Sequence, residues 1–246
     1  MSPKNSEFHV GNIATELPHI EGLKRRGLML AVSAPSGTGK TTMCQLLLQQ
    51  DDNIQLSISA TTRHPPRPNE VHGVDYYFVT SDEFKRMLAD GELLEHTKVH
   101  GNYYGTPRGP VEDILAKGID ILFEIDAVGV NQIAAFSRAD LVSVFVLPPS
   151  AAEMEARMRN RTKEEESFIQ HRLVDNLDQF QHSHNYDYVI INKDIEDSMF
   201  KLRTILGAER MKRHRLRGLD NFTKIMRDET ESLIAPDVLA ERNNKH

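Results

Sequence analysis

The segment from Leu28 to Thr42, LMLAVSAPSGTGKTT, constrains the fold more than any other part of the sequence. Its first five residues are apolar and contain no turn-forming residue, which is typical of a buried strand. A loop of small residues follows, and Gly39-Lys40-Thr41 then opens a helix. A strand, a small-residue loop and a Gly-Lys-Thr helix start together form the arrangement that binds nucleotide phosphates. The segment therefore predicts a phosphate loop within a β/α fold.

The chemistry of such a loop suggests roles for individual residues. Backbone N–H groups of the loop and of the helix start would point at the anion, and the helix dipole favours negative charge there. Lys40 would reach the terminal phosphates of a nucleoside triphosphate, and the Thr41 hydroxyl would bind Mg²⁺. The general pattern begins with Gly, whereas this chain has Ala34. Gly-Lys-Thr alone occurs by chance in roughly one chain in ten of this length, so an incidental turn stays open and the flanking strand and helix carry the prediction.

Composition excludes several classes of protein. The 246 residues suffice for one large core or for one domain with inserts. A net charge of −6 argues against a protein that binds nucleic acid. The single cysteine, Cys44, excludes a disulfide framework and a cysteine-rich zinc site. Because the sequence contains neither a long apolar run nor a signal-peptide pattern, we expect a cytoplasmic protein without a membrane partner.

Strand and helix patterns alternate along most of the chain. Apolar runs at 54–60, 119–125, 141–147 and 188–192 predict further strands, with helix patterns between them. Short connections of this kind predict a three-layer α/β fold, in which a central parallel sheet has helices on both faces. Prolines and aromatic residues interrupt the alternation at 61–106, which predicts a small β-rich insert.

Clusters of basic residues appear in three places. Arg157, Arg161 and Arg172 fall in a predicted helix–turn–helix segment. Arginines on a movable lid can close over a transferring phosphate, and one such arginine contributes on the order of 10³–10⁵ in rate in other phosphate-loop enzymes. Pairing with neighbouring glutamates on a helix surface is the other interpretation. The clusters Lys24-Arg25-Arg26 and RMKRHRLR at 210–217 are predicted to be solvent-exposed charge.

Several motifs in a fixed order resemble those of guanylate kinases, over about residues 28–207. They are APSGTGKTT at 34–42, SATTR at 59–63, Arg67 and Glu70-Val71, GVDYYF at 73–78, GNYYGT at 101–106, EIDAVGV at 124–130 and PPS at 148–150, followed by the three lid arginines and Asn192. The resemblance implies a transferase of purine nucleotide metabolism. Such an enzyme transfers the γ-phosphate of ATP to GMP in a Mg²⁺-dependent reaction, giving GDP and ADP.

The resemblance also implies a division of the chain. An N-terminal extension (1–27) and a C-terminal extension (208–246) would flank a guanylate-kinase-like domain (28–207) with a P-loop three-layer fold. Within the domain, the core would comprise residues 28–60, 107–149 and 176–207, the β-rich GMP-binding insert residues 61–106, and the helical lid residues 150–175.

Site residues carry over at the matching positions. ATP would be bound by Ala34, Pro35, Ser36, Gly37, Thr38, Gly39, Lys40, Thr41 and Thr42, with Asn192 near the adenine. The GMP phosphate would be held by Arg63, Arg67, Tyr76 and Tyr104, and the guanine by Ser59, Glu95, Thr106 and Asp126. Lys40, Arg157, Arg161 and Arg172 would stabilise the transferring phosphoryl group, and Thr41 would bind the Mg²⁺ ion. A carboxylate such as Glu95 can accept hydrogen bonds from guanine N1–H and from the exocyclic amine.

The sequence departs from the family's pattern at several positions. The segment 63–71 is one residue longer than usual between its two arginines, and Glu124 stands where Asp is usual. Other departures are Asn69, Val128, Thr162-Lys163 and Lys193. Two further functions stay open at this point: a kinase-like module that binds a phosphopeptide, and a related phosphokinase with another acceptor. The sequence leaves the oligomeric state undecided.

Overall fold

The computed structural model describes residues 20–161 and 166–235, and for Arg161 it describes the backbone only. The strands are β1 (Lys24–Arg25), β2 (Met29–Ser33), β3 (Ile54–Leu56), β4 (Ser59–Thr61), β5 (Tyr76–Phe78), β6 (Leu93–Val99), β7 (Asn102–Pro107), β8 (Asp120–Phe123), β9 (Leu141–Leu147), β10 (Tyr188–Ile191) and β11 (Leu216–Arg217). The helices are α1 (Lys40–Gln50), α2 (Ser81–Ala89), α3 (Arg108–Ala116), α4 (Ala127–Ser137), α5 (Ala151–Arg161), α6 (Glu166–Phe180), α7 (Ile195–Arg210) and α8 (Leu219–Ser232).

A five-stranded parallel sheet in the order β10-β9-β2-β8-β3 forms the centre of the fold. Side chains of β2 alternate between its two faces. Leu30 and Val32 pack in the core beneath α1 and α7, whereas Met29 and Ala31 pack with residues of α3 and α4. The predicted three-layer α/β fold with a central parallel sheet is therefore confirmed. Within the described ranges, no helix has the length and apolar character needed to cross a membrane.

The predicted single strand at 54–60 is wrong, because two strands occupy it. β3 lies at the edge of the central sheet, and β4 belongs to a second sheet in the order β5-β4-β7-β6. The backbone changes sheets at residues 57–58, where the alternation of apolar and polar residues continues without a break. Helix α2 packs on the second sheet through Phe84, whose ring centre lies 5.3 Å from that of Tyr103.

The sequence pattern predicts that Ser81 caps one helix and that Ile169, Leu173, Leu177 and Phe180 form the buried stripe of another. Both predictions need correction. Thr80 caps α2 instead of Ser81, and its side chain and that of Glu83 form a reciprocal capping box. In α6 the predicted buried stripe fails at Leu177, which is 63% exposed, while Asn176 is fully buried. The reason is that α6 turns a polar side chain toward the phosphate loop. The segment Thr162-Lys163-Glu164-Glu165 fits the sequence pattern of a capping box, but it lies outside the described residues.

The prediction that the two basic clusters are solvent-exposed is wrong for four of their arginines. Arg210 and Arg215 are each 2% exposed, and Arg25 and Arg26 are partly buried, whereas the other basic residues of the clusters are exposed. β1 and β11 pair antiparallel, which brings the clusters together at the edge of the central sheet opposite the phosphate loop. The Asp120 carboxylate, fully buried at the start of β8, accepts hydrogen bonds from Arg25, from Arg210 Nε at 2.6 Å and from Leu28 N at 2.8 Å. Arg210 also contacts Asp51 Oδ2 at 2.7 Å. These guanidinium groups are buried because a desolvated carboxylate requires positive partners.

We expect Asp120→Ala to lower the free energy of unfolding by about 3–5 kcal/mol, because it leaves buried guanidinium groups with one carboxylate fewer. Urea unfolding followed by circular dichroism measures the change. The matched control is Asp197→Ala, which removes an exposed ion pair with Lys201 on α7 and should cost at most about 1 kcal/mol. Equal losses for the two variants would show that the buried cluster contributes no more than a surface ion pair does.

Candidate active site

The phosphate loop runs from residue 34 to 39 between β2 and α1. Gly37 and Gly39 have φ angles of 84° and 93°, in the region that favours glycine. A Cβ atom at Gly39 would lie 2.5 Å from Asn192 Nδ2, and one at Gly37 would lie 2.7 Å from the Met154 carbonyl oxygen. The loop is therefore packed so closely against neighbouring elements that both glycines are required.

A pocket of about 140 Å³ opens over this loop. It joins the loop to two lid residues, and its lining is Ala34, Pro35, Ser36, Gly37, Thr38, Gly39, Lys40, Thr41, Met158 and Arg172. Thr42 lies exposed on α1 and is not part of this lining. The hydroxyl oxygen of Thr38 is buried and has no hydrogen-bond partner among the described residues. Because a buried hydroxyl without a partner is costly, this atom is available to a ligand in the pocket.

Two buried asparagines hold the backbone of the loop. Asn192, 4% exposed, donates from Nδ2 to the Thr38 carbonyl oxygen at 2.7 Å and accepts from Ser198 Oγ at 2.9 Å. Asn176 accepts from Ser36 N at 2.7 Å and donates to Ser36 O at 3.2 Å. Sequence reasoning missed Asn176, since an asparagine within a helix pattern carries no motif.

Lys40 at the start of α1 is paired with the carboxylate of Glu124. Lys40 Nζ lies 2.7 Å from Glu124 Oε2, and each side chain is about one quarter exposed, at 23% and 25%. Glu124 follows directly after β8, so the ends of two neighbouring strands bring the lysine and the carboxylate together. Glu124 therefore orients the Lys40 ammonium group within the pocket, and a bound anion can replace Glu124 as its partner.

The lid arginines occupy different places. Arg172 lines the pocket, and its guanidinium lies 5.2 Å from the ring centre of Phe168. Arg157 donates from Nη1 to the Asn192 carbonyl oxygen at 3.0 Å and pairs with Glu153 at 3.1 Å. Arg161 ends α5, but its side chain lies outside the described residues. Arg172 thus lies at the phosphate loop, whereas Arg157 is bonded to the backbone of Asn192, the residue whose side chain supports the loop.

Arg63 lies among aromatic rings on the second sheet. Its guanidinium is 5.5 Å from the ring centre of Tyr76, and the rings of Tyr76 and Tyr104 are 6.1 Å apart. Both carboxylate oxygens of Glu70 accept from Arg63 Nη2 at 2.7 Å. The Arg67 side chain is exposed, and its backbone N–H donates to the same carboxylate. Sequence reasoning gave Glu70 no role, although an acidic residue near two arginines was the available signal.

Glu95 is a buried carboxylate in the same insert. Its side chain accepts from Thr106 Oγ1 at 2.6 Å, and the residue is 5% exposed. Burial raises the pKa of Glu95, and the negative charge of Asp126 raises it further. Asp126 is exposed and caps α4 by accepting from Gly129 N at 3.0 Å. Ser59, half-buried on β4, pairs in register with Tyr76. Glu95, Asp126 and Ser59 thus lie on the side of the site that also contains Arg63, Tyr76 and Tyr104.

Comparisons with known proteins agree on one family. The family model described as guanylate kinase matches residues 26–209. A guanylate kinase of Paramagnetospirillum magneticum is 49% identical over 205 residues, which are 83% of this chain and 95% of that one. A guanylate kinase of Rhizobium etli is 46% identical over 211 residues, covering 86% and 96%. The crystal structure of guanylate kinase from Anaplasma phagocytophilum has a TM-score of 0.63 and 39% identity, and covers 81% of this chain and 95% of that one.

The raised pKa of Glu95 predicts how stability depends on pH. The folded state holds the proton more tightly than the unfolded state does, so Glu95 costs stability as the pH rises from 4.5, the ordinary value, through its raised pKa. We therefore expect Glu95→Gln to be as stable as the wild type at pH 4 and more stable at pH 7.

Urea unfolding at the two pH values tests this expectation. Glu229→Gln, at an exposed position on α8, is the matched control and should show little change at either pH. If Glu95→Gln were less stable than the wild type at pH 7, the charged form of Glu95 would be stabilising, and its hydrogen bond with Thr106 would outweigh the cost of burial.

Proposed function

The chain belongs to the guanylate kinase family, and we propose that the two halves of its site bind ATP and GMP respectively. It is an ATP:GMP phosphotransferase, which converts the two substrates into ADP and GDP. The observation that carries the proposed division is the pocket in which the phosphate loop, Lys40 and the lid residue Arg172 meet. The insert at 61–106 contributes the other half, and residues 150–175 act as the lid.

The loop at 34–42 is proposed to bind the phosphates of ATP. Both glycines with positive φ and the start of α1 favour a bound anion. The unpartnered Thr38 hydroxyl gives the pocket one further donor for a phosphate oxygen. Lys40 would exchange Glu124 for the terminal phosphates, because a phosphate carries more charge than a single carboxylate. The Asn192 side chain supports Thr38, and we propose that it acts near the ATP site through the loop.

The residues around Lys40 suit a Mg²⁺ ion. Thr41, in the first turn of α1, lines the pocket, and the Glu124 carboxylate lies 2.7 Å from Lys40 Nζ. Hydroxyl and carboxylate oxygens are ligands that Mg²⁺ prefers, and this ion commonly takes only one or two of them from the protein. We propose that Thr41 holds the ion directly and that Glu124 faces its water shell. When bound, Mg²⁺ neutralises charge on the transferring phosphate.

The GMP half is proposed to combine cationic and carboxylate recognition. Glu70 fixes the Arg63 guanidinium against Tyr76, so the arginine is oriented toward a phosphate before GMP arrives. Arg67, Tyr76 and Tyr104 are proposed as further phosphate ligands. Glu95, Thr106, Asp126 and Ser59 are proposed to bind the guanine. A buried carboxylate favours guanine over adenine, because a base without matching donors leaves it unpaired.

Phosphoryl transfer requires positioning and charge neutralisation rather than a covalent intermediate. Lys40 and Arg172 already line one pocket. Arg157 and Arg161 are proposed to join them when the lid closes, which would also exclude water. The excluded water matters because electrostatic stabilisation is stronger in a site of low dielectric.

The acceptor is tested by measuring ADP formation with GMP, AMP, UMP and dTMP at saturating ATP. We expect turnover with GMP to exceed turnover with the other three by a wide margin. Absence of turnover with every acceptor would overturn the enzymatic function, and similar rates with AMP and GMP would overturn the guanine assignment.

The proposed cationic groups are tested by single substitutions. Lys40→Ala should abolish measurable turnover, and Arg172→Ala should lower kcat on the order of 10³-fold. Arg159 is the matched control, since it lies on α5 but pairs with Glu155 and Glu166 on the surface. Arg159→Ala should therefore stay within about twofold of the wild type. A comparable loss in all three variants, with folding intact by circular dichroism, would contradict the assigned roles.

A further inference from the structure

Asn176 is a polar residue that is completely buried in the second half of α6. Its amide oxygen accepts from Ser36 N at 2.7 Å, and its amide nitrogen donates to Ser36 O at 3.2 Å. One side chain therefore satisfies both backbone polar groups of a phosphate-loop residue. Such reciprocal bonding fixes the position and the orientation of the peptide, whereas an apolar contact would fix neither.

The same side chain lies one helical turn from Arg172. Residues four apart on a helix occupy the same face, and Arg172 lines the pocket beside Lys40. Helix α6 thus presents two groups to the phosphate loop. Asn176 binds the backbone of the loop, and Arg172 lines the pocket that opens over the loop. The bonds to Ser36 therefore hold the loop against the turn of α6 that also contains Arg172.

Helix α5 meets the loop at the same point. Asn176 Nδ2 lies 3.4 Å from Met154 Sδ. A Cβ atom at Gly37 would lie 2.7 Å from the Met154 carbonyl oxygen and 2.7 Å from Met158 Cγ. Because Gly37 directly follows Ser36, the two lid helices enclose one turn of the loop from two sides. At this contact Asn176 supplies side-chain hydrogen bonds to both backbone polar groups of Ser36.

We propose that Asn176 is a positioning residue for phosphoryl transfer, which acts through Ser36 and Arg172. It holds the loop residue before Gly37 in the conformation that binds the phosphates of ATP. It also sets the distance between Arg172 and those phosphates. The proposal rests on the proposed function, in which the loop binds ATP. Residues of the GMP half have no part in it, so the effect of losing Asn176 is confined to ATP and to the chemical step.

Two variants test the proposal. Asn176→Leu keeps the branched shape and the number of side-chain heavy atoms, although its methyl groups are bulkier, and it removes both bonds to Ser36. Asn176→Asp keeps the shape and the acceptor, loses the donor to Ser36 O, and places negative charge beside the loop. The control is Ile169→Ala, which removes a buried side chain of the same helix, 4% exposed. This control loosens the packing of α6 without removing a bond to the loop.

The measurements are kcat, the KM values of ATP and GMP, and calorimetric binding of a non-hydrolysable ATP analogue and of GMP. We expect each Asn176 variant to weaken binding of the ATP analogue by about tenfold or more and to lower kcat. GMP binding should stay within about twofold of the wild type. Ile169→Ala should lower thermal stability without changing the ratio of the two affinities.

Three results would overturn the proposal. They are wild-type ATP binding and kcat in Asn176→Asp, equal weakening of both substrates in the folded Asn176 variants, and an Ile169→Ala variant with the same selective loss of ATP binding. If Asn176→Leu does not fold, Asn176→Asp decides alone. Failure of the wild type to phosphorylate GMP would instead contradict the proposed function, and this result is independent of Asn176.

Discussion

The backbone of a phosphate loop cannot form the regular hydrogen bonds of a helix or a sheet, so other parts of the structure must supply partners for its polar groups. Asn192, which follows β10, donates a hydrogen bond to the Thr38 carbonyl oxygen. Asn176 of α6 forms hydrogen bonds with both the N–H and the carbonyl group of Ser36. The parallel sheet serves this arrangement, because β2 and β10 end at the same edge and bring distant parts of the chain to one loop.

Elements defined by local periodicity could be predicted from the sequence. Strand β9 occupies Leu141–Leu147 as predicted, and α1 begins at Lys40 as its small-residue loop indicates. The break between β3 and β4 could not be predicted, since the alternating pattern continues through it. The burial of Arg25 and Arg210 could not be predicted for a related reason. Charge clusters are usually solvated, and the partner of Arg25 is Asp120, which lies 95 residues away.

The site shows the same division between local and distant information. The glycines of the phosphate loop and the order of the motifs are local, and they were sufficient to predict the fold and the family. Glu70, which neutralises Arg63 with both oxygens, is among the matching residues but received no role from them, and Asn176, which binds Ser36 across 140 residues, belongs to no motif. Their roles depend on which surfaces the fold brings together, and no spacing in the sequence records that.

The pairing of β1 with β11 has a consequence for synthesis of the chain. Lys24 pairs with Arg217, so one of the first described segments leaves the ribosome long before its partner exists. Asp120 enters the core of the central sheet with Arg25 available, but Arg210 emerges only after every strand of that sheet. Co-translational folding can thus complete the nucleotide-binding edge, including Asn176 and Asn192, before Arg210 emerges. At the opposite edge, pairing of Asp120 with Arg210 is necessarily one of the last steps of folding. Until then, the nascent sheet contains an Asp120 carboxylate that lacks one of its partners.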